Sequence, residues 1–130
     1  MNFGKKRIFL VDDDVMFEDI IVNFLSDEYE IMLSHSGEEA LNKIIKHKPD
    51  LILLDVILPE MNGWEIFHKI KGITLINNVP IAFLTSLSEE EGLEHAKQIG
   101  AAGYFVKPIE KEELVKGIEK ILSGEKLIWA

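Results

Sequence analysis

A chain of 130 residues, with 14 Lys and Arg against 23 Asp and Glu, holds one domain with a real hydrophobic core and no room for a second of full size. Its formal charge of −9 repels nucleic acid and anionic membrane, so neither is expected as a direct ligand. The lack of cysteine excludes disulfides, thiolate catalysis and cysteine metal sites, and no apolar run approaches the roughly 20 residues of a membrane span.

Near Met1 a Lys5-Lys6-Arg7 cluster precedes an apolar stretch that Asp12 soon interrupts, unlike a signal peptide, and the expectation is a cytoplasmic domain. Apolar runs recur near residues 9, 32, 52, 82 and 105 with amphipathic stretches between them, the βα alternation of a parallel sheet covered on both faces by helices. The first run, Ile8-Phe9-Leu10-Val11, ends in Asp12-Asp13-Asp14. A helix follows from about Val15 to Leu25, on the spacing of Met16, Ile20 and Phe24 and of Ile21 and Leu25. Ser36 with Glu39 three residues on is capping-box spacing and starts a second helix near Gly37. That helix carries Ala40, Leu41, Ile44 and Ile45 inward, and Pro49 predicts extended backbone at Lys48. Leu51-Ile52-Leu53-Leu54 reads as a strand buried on both faces, and Asp55 stands directly at its end.

A third helix follows Asn62-Gly63, with Trp64, Phe67 and Ile70 on one face. Ser88 and Glu91 repeat the capping spacing, so a fourth helix runs from near Glu89 to Gly100, a left-handed C-cap. Gly103-Tyr104-Phe105-Val106 then leads into Lys107-Pro108. The last helix spans about Glu110 to Leu122, with Leu114, Ile118, Ile121 and Leu122 inward and Gly124 closing it. The domain is expected over residues 1–124, with 125–130 a tail or the start of a linker whose Leu127, Ile128 and Trp129 read as local packing.

Asp12, Asp13, Asp55, Thr85 and Lys107 all follow apolar runs, and in a parallel α/β sheet the C-terminal strand ends share one edge, where ligands bind. Three clustered carboxylates repel one another, so at least one is expected to have a raised pKa unless neutralised. A divalent cation resolves the repulsion, and an oxygen-only donor set favours Mg²⁺ over zinc, with Mn²⁺ able to substitute. Mg²⁺ held by few carboxylates keeps positions for water and phosphate oxygens, which suits phosphoryl transfer. Asp55 is then the nucleophile that forms an aspartyl phosphate, Lys107 pairs with the added oxygens and the Thr85 hydroxyl donates to one of them. Taken singly, each piece has an ordinary explanation: a turn or helix N-cap at Asp12 to Asp14, strand ends at Asp55 and Thr85, a turn at Lys107-Pro108. His35, His47, His68 and His95 are scattered without metal-ligand spacing and read as surface or structural histidines.

With Ile-Phe-Leu-Val-Asp-Asp-Asp at 8–14, Pro-Asp-Leu-Ile-Leu-Leu-Asp-Val-Ile-Leu-Pro-Glu-Met-Asn-Gly at 49–63, Ala-Phe-Leu-Thr-Ser at 82–86 and Gly-Ala-Ala-Gly-Tyr-Phe-Val-Lys-Pro at 100–108, the chain resembles the receiver domain of bacterial two-component response regulators. The resemblance covers nearly all of it. It implies an α/β, flavodoxin-like (βα)5 three-layer sandwich with a parallel five-stranded sheet of order 2-1-3-4-5. It also implies Asp55 as phosphoacceptor, and Asp12, Asp13 and Asp55 with the backbone carbonyl of Ile57 as the Mg²⁺ site. Thr85 and Tyr104 match the switch pair, Lys107 the phosphate-binding lysine, and the bond before Pro108 is expected to be cis.

The implied partner is a histidine kinase or histidine phosphotransfer protein as donor. Tyr104 would turn inward after phosphorylation and repack the face of the fourth helix, fifth strand and fifth helix. That face would meet a downstream protein, a covalently linked effector domain or a second copy of the chain. Such a domain assists its own phosphorylation and dephosphorylation without being an enzyme. Ile57 and Leu87 are apolar at the rim where an attacking water would sit, which predicts slow self-dephosphorylation. Among competing functions, a hydrolase of the haloacid-dehalogenase type wants an aspartate where Ile57 stands, and neither GxGxxG nor a P-loop is present. A phosphorylation-independent interaction module with the same fold is the remaining alternative.

Overall fold

Five strands and five helices alternate along residues 4–125, the part of the chain that this computed structural model describes. They are β1 (Lys6–Val11), α1 (Val15–Leu25), β2 (Tyr29–Ser34), α2 (Gly37–His47), β3 (Leu51–Leu54), α3 (Gly63–Lys71), β4 (Ile81–Thr85), α4 (Glu89–Ile99), β5 (Gly103–Val106) and α5 (Lys111–Leu122). All strand pairs are parallel and the order is 2-1-3-4-5, the flavodoxin-like arrangement. Leu127, Ile128 and Trp129 of the expected tail lie outside the described residues. No described helix is long and apolar enough to cross a membrane.

Alternation along the strands divides the core between the two faces of the sheet. Phe9, Val11, Ile52, Leu54, Ile81 and Phe83 point to one face, against Ala40 and Ile44 of α2, Ile66, Phe67 and Ile70 of α3 and Ala96 of α4. Ile8, Leu10, Leu51, Leu53, Ala82 and Leu84 point to the other, against Ile21 and Leu25 of α1 and Leu114, Ile118 and Ile121 of α5. Each side chain of β3 is fully buried, which is why that strand carries no polar residue until Asp55.

The helix starts follow their caps. Asp14, Ser36, Asn62 and Ser88 each accept from backbone N–H groups of the first turn, and at Ser88 the reciprocal bond from Glu91 completes a capping box. Gly100 ends α4 in the left-handed conformation. Lys48 departs from expectation: it is left-handed (φ 46°, ψ 71°) rather than extended, because its N–H closes α2 onto the Ile44 carbonyl at 2.8 Å. The demand of the helix end for a partner outweighs the preference that Pro49 imposes on its neighbour. In α1 the apolar residues divide: Ile21 and Leu25 enter the core, whereas Val15, Met16 and Ile20 face solvent, Met16 at 81% exposure.

Candidate functional site

The strand ladder positions the site. The N–H of Asp12 donates to Ser34 at the end of β2, that of Asp55 to Val11 at the end of β1, and that of Lys107 to Thr85 at the end of β4, at 3.1, 3.0 and 2.8 Å. Three residues distant in sequence are each locked to the last carbonyl of a neighbouring strand, so their side chains rise from one edge at one level. Lys107 Nζ donates to Asp12 Oδ2 at 2.7 Å and to Asp55 Oδ2 at 3.2 Å. Asp12 and Thr85 are fully buried and Asp55 nearly so, whereas Asp13 is exposed. The Lys107-Pro108 peptide is cis.

Carboxylate oxygens of Asp12, Asp13 and Asp55 lie within 4.8 Å of one another. Burial pushes the Asp12 carboxyl above its ordinary 3.8 and the charge of Asp55 adds to this, while Lys107 and the Asp14 N–H pull the other way. One lysine therefore does not fully compensate the cluster. Three carboxylate donors, one of them open to water, with no histidine or cysteine in the group, fit a hard divalent cation of the Mg²⁺ class. The third aspartate of the run serves the helix instead, since Asp14 caps α1 by accepting from Met16 and Phe17 N–H.

Asp55 Oδ1 accepts from the Ile57 N–H at 3.1 Å, and the Ile57 side chain stands out at the rim, 54% exposed. Thr85 Oγ1 accepts from the Leu87 N–H at 3.2 Å, which leaves the hydroxyl hydrogen to donate. Tyr104 Oη donates to the Leu87 carbonyl at 2.9 Å, with the Ser88 carbonyl at 3.3 Å. Tyr104, expected to turn inward after phosphorylation, stands inside in this structure, 8% exposed. Its hydroxyl is a ready donor, and the space under α4 admits the ring. Burial, with Glu91, Asp55 and Glu89 near it, pushes its pKa up to about 12.

Two contacts carried no sequence signal. The Phe17 ring lies under Lys107 Nζ, 4.2 Å from centroid to nitrogen, a cation–π contact that closes the open side of the ammonium. His35 Nε2 sits 2.7 Å from Glu18 Oε2 and ties α1 to the end of β2, a structural histidine. A phenylalanine one helical turn past an acidic loop, or a histidine after a strand, is too common to single out in advance.

The model of the response regulator receiver domain family matches residues 8–119. Transcriptional regulatory protein CrdR of Helicobacter pylori is 34% identical over 122 residues, 93% of this chain and 57% of that protein. The chain thus spans little more than half of that relative. Chemotaxis protein CheY of Halobacterium salinarum is 30% identical over 120 residues, 92% of this chain and 98% of that one. Among solved structures, a putative response regulator from Chloroflexus aurantiacus superposes with a TM-score of 0.87 at 31% identity, covering 92% of this chain and 99% of that one. A sheet of matching order, an acidic pocket at its C-terminal edge and a family match over most of the length agree: the chain belongs to the response regulator receiver domain family.

Proposed function

We propose that this chain is a phosphorylation-dependent switch that accepts a phosphoryl group on Asp55 from a histidine kinase or histidine phosphotransfer protein. The observation that carries the reading is Lys107 Nζ bridging the Asp12 and Asp55 carboxylates inside a three-aspartate cluster. A carboxylate beside a lysine ammonium has a counter-charge at hand for the phosphorylated product. An Asp55 oxygen attacks phosphorus in line, the new P–O bond forms as the P–N bond to the donor imidazole breaks, and the electron pair leaves on that nitrogen. Lys107 exchanges Asp12 for a phosphoryl oxygen, and Thr85 donates its hydroxyl to another. Asp12, Asp13, Asp55 and the Ile57 carbonyl would hold Mg²⁺, or Mn²⁺ in its place, which supplies charge neutralisation to carboxylates and phosphate alike.

The chain assists its own phosphorylation and dephosphorylation but is itself the group acceptor, so we read it as a phosphoacceptor rather than an enzyme. Its natural setting is the cytoplasm, where such donors act, and its charge of −9 leaves DNA contact to another domain or protein. Readout passes from Thr85 through Leu87 to Tyr104, and so to the α4-β5-α5 face. That face meets a downstream protein, a linked effector domain as in a transcriptional regulator, or a second copy of the chain.

Incubation with acetyl phosphate and Mg²⁺ followed by intact-mass measurement tests the reading. One phosphoryl adduct is expected on wild type and none on Asp55→Asn. No wild-type adduct, or an equal adduct on the variant, would leave only a phosphorylation-independent interaction module.

Two further outcomes belong to this site. Val15, Met16 and Ile20 form an exposed apolar strip on α1 directly after the acidic loop, where a protein donor must press to bring its imidazole to Asp55. Met16→Glu is expected to slow transfer from a phosphohistidine protein about tenfold or more and to leave labelling by acetyl phosphate unchanged. Ile57 stands exposed beside the acceptor and Leu87, two residues past Thr85, packs toward α4, so neither brings a polar group to orient water and the phosphoryl half-life in Mg²⁺ buffer is expected to be minutes or longer. A lifetime of seconds sinks that expectation.

A further inference from the structure

Gly92 lies inside α4, where glycine weakens a helix relative to alanine, so its presence needs a local reason. The reason is visible beneath it. A Cβ at Gly92 would run into the Tyr104 hydroxyl oxygen and stand 2.8 Å from Tyr104 Cζ and 2.9 Å from Leu87 Cδ2. The Leu87 methyl is the end of a flexible side chain and can yield. The tyrosine yields only by leaving its seat, at the loss of its packing against Phe83, 6.3 Å between centroids, and of its hydroxyl bonds to the carbonyls of Leu87 and Ser88. Those carbonyls belong to the segment between Thr85 and the start of α4, whose position the Ser88–Glu91 capping box fixes. A Cβ at Gly37, Gly63 or Gly72 would meet no tyrosine among its nearest atoms.

We infer that Gly92 is a positioning residue, a socket in α4 that seats the Tyr104 ring inside the resting chain, so that phosphorylation tightens the Thr85-Leu87-Tyr104 connection rather than creating it. The inference rests on the switch reading above for its consequence, a face of α4, β5 and α5 set toward its signalling form before any phosphoryl group arrives. The seat itself rests on geometry alone. The bulk of one methyl group then decides where the tyrosine sits.

Thermal melts of wild type, Gly92→Ala, Tyr104→Ala and the double variant test the seat. With the ring under Gly92, alanine there lowers the melting temperature by several degrees when Tyr104 is present. With Tyr104→Ala the same change raises it, because the helix gains a better former and nothing is displaced. A rise in both backgrounds means the ring is outside at rest and overturns the inference. A fall in both assigns the glycine to other packing and overturns it equally. Should Gly92→Ala fail to fold while the double variant folds, the sign reversal stands in its strongest form.

The consequence is read with 3-fluorotyrosine, since the chain has two tyrosines, Tyr29 and Tyr104. The ¹⁹F resonance of Tyr104 is expected to be solvent-shielded at rest and nearly unmoved by Mg²⁺ with beryllofluoride, and to be exposed and movable in Gly92→Ala. A wild-type resonance that is exposed at rest and becomes shielded on adding the analogue refutes the pre-set switch. Acetyl phosphate labelling is scored separately: its failure removes the acceptor reading and leaves the melts untouched, whereas the melts can fail while labelling succeeds.

Discussion

Lys107→Ala is expected to lower the stability of the metal-free chain by about 3 kcal/mol at neutral pH and to slow phosphorylation of Asp55 about 100-fold. The lysine side chain is 13% exposed and touches carboxylates that are almost completely buried. Removing it leaves two like charges facing each other in a poorly solvated pocket, with Asp12 already destabilised by burial. Mg²⁺ competes with Lys107 for the same oxygens, so it should stabilise the variant more than wild type.

The pH dependence has a definite sign. Burial by itself pulls the ammonium down, but the bond to Asp12 and the charges of Asp55 and Asp12 outweigh it and hold the group above 10.5. A base raised on folding contributes its full stabilisation below 10.5 and loses it as pH rises through the higher folded value. Urea melts with and without Mg²⁺, from neutral pH to above pH 11, should show that alkaline decline in wild type and not in the variant. A variant that melts like wild type without metal and is labelled at the wild-type rate contradicts the account.

Gly63→Ala is expected to cost about 3 kcal/mol and to reduce labelling of Asp55 about tenfold to 100-fold. Its Cβ would enter the Asp55 carbonyl oxygen and stand 2.7 Å from Val56 Cα and 2.9 Å from the Asp55 carbonyl carbon. All three are backbone atoms. The same glycine donates its N–H to the Val56 carbonyl at 2.8 Å, which draws the first turn of α3 tight against the acceptor loop. Relief of the clash must therefore move either the helix or the aspartate. Gly72→Ala is the control, because its Cβ would meet only the Lys69 and His68 carbonyls at 3.5 and 3.6 Å, ordinary contact distances. Urea melts and the labelling time course separate the two: Gly72→Ala should retain wild-type stability and rate. Similar losses in both glycine variants would remove the special role given to Gly63.

Much of this architecture was legible in the chain because its signals are local. Alternating buried runs mark strands, and Ser36, Asn62, Ser88, Gly100 and Gly124 mark helix ends through bonds that span only a few residues. Lys48 shows the limit of such rules, since a preference set by one neighbour yielded to the closing bond of a whole helix. The apolar residues of α1 show another. Helical spacing groups Met16, Ile20 and Phe24 as readily as Ile21 and Leu25, and nothing local says which row meets the sheet.

The candidate site divides in the same way. By itself the sequence determined that Asp12, Asp13, Asp55, Thr85 and Lys107 end apolar runs, and a parallel sheet must gather such ends on one edge because every strand points the same way. What only the tertiary structure decided is which groups touch. Lys107 bridges two aspartates, Phe17 lies under its ammonium, and the Tyr104 ring lies beneath Gly92. Those contacts join residues as much as 95 positions apart, and they depend on differences of a few ångströms in how helices rest on the sheet. Period and capping are short-range and can be read along a chain; the fit of one methyl-sized space against one ring exists only after packing.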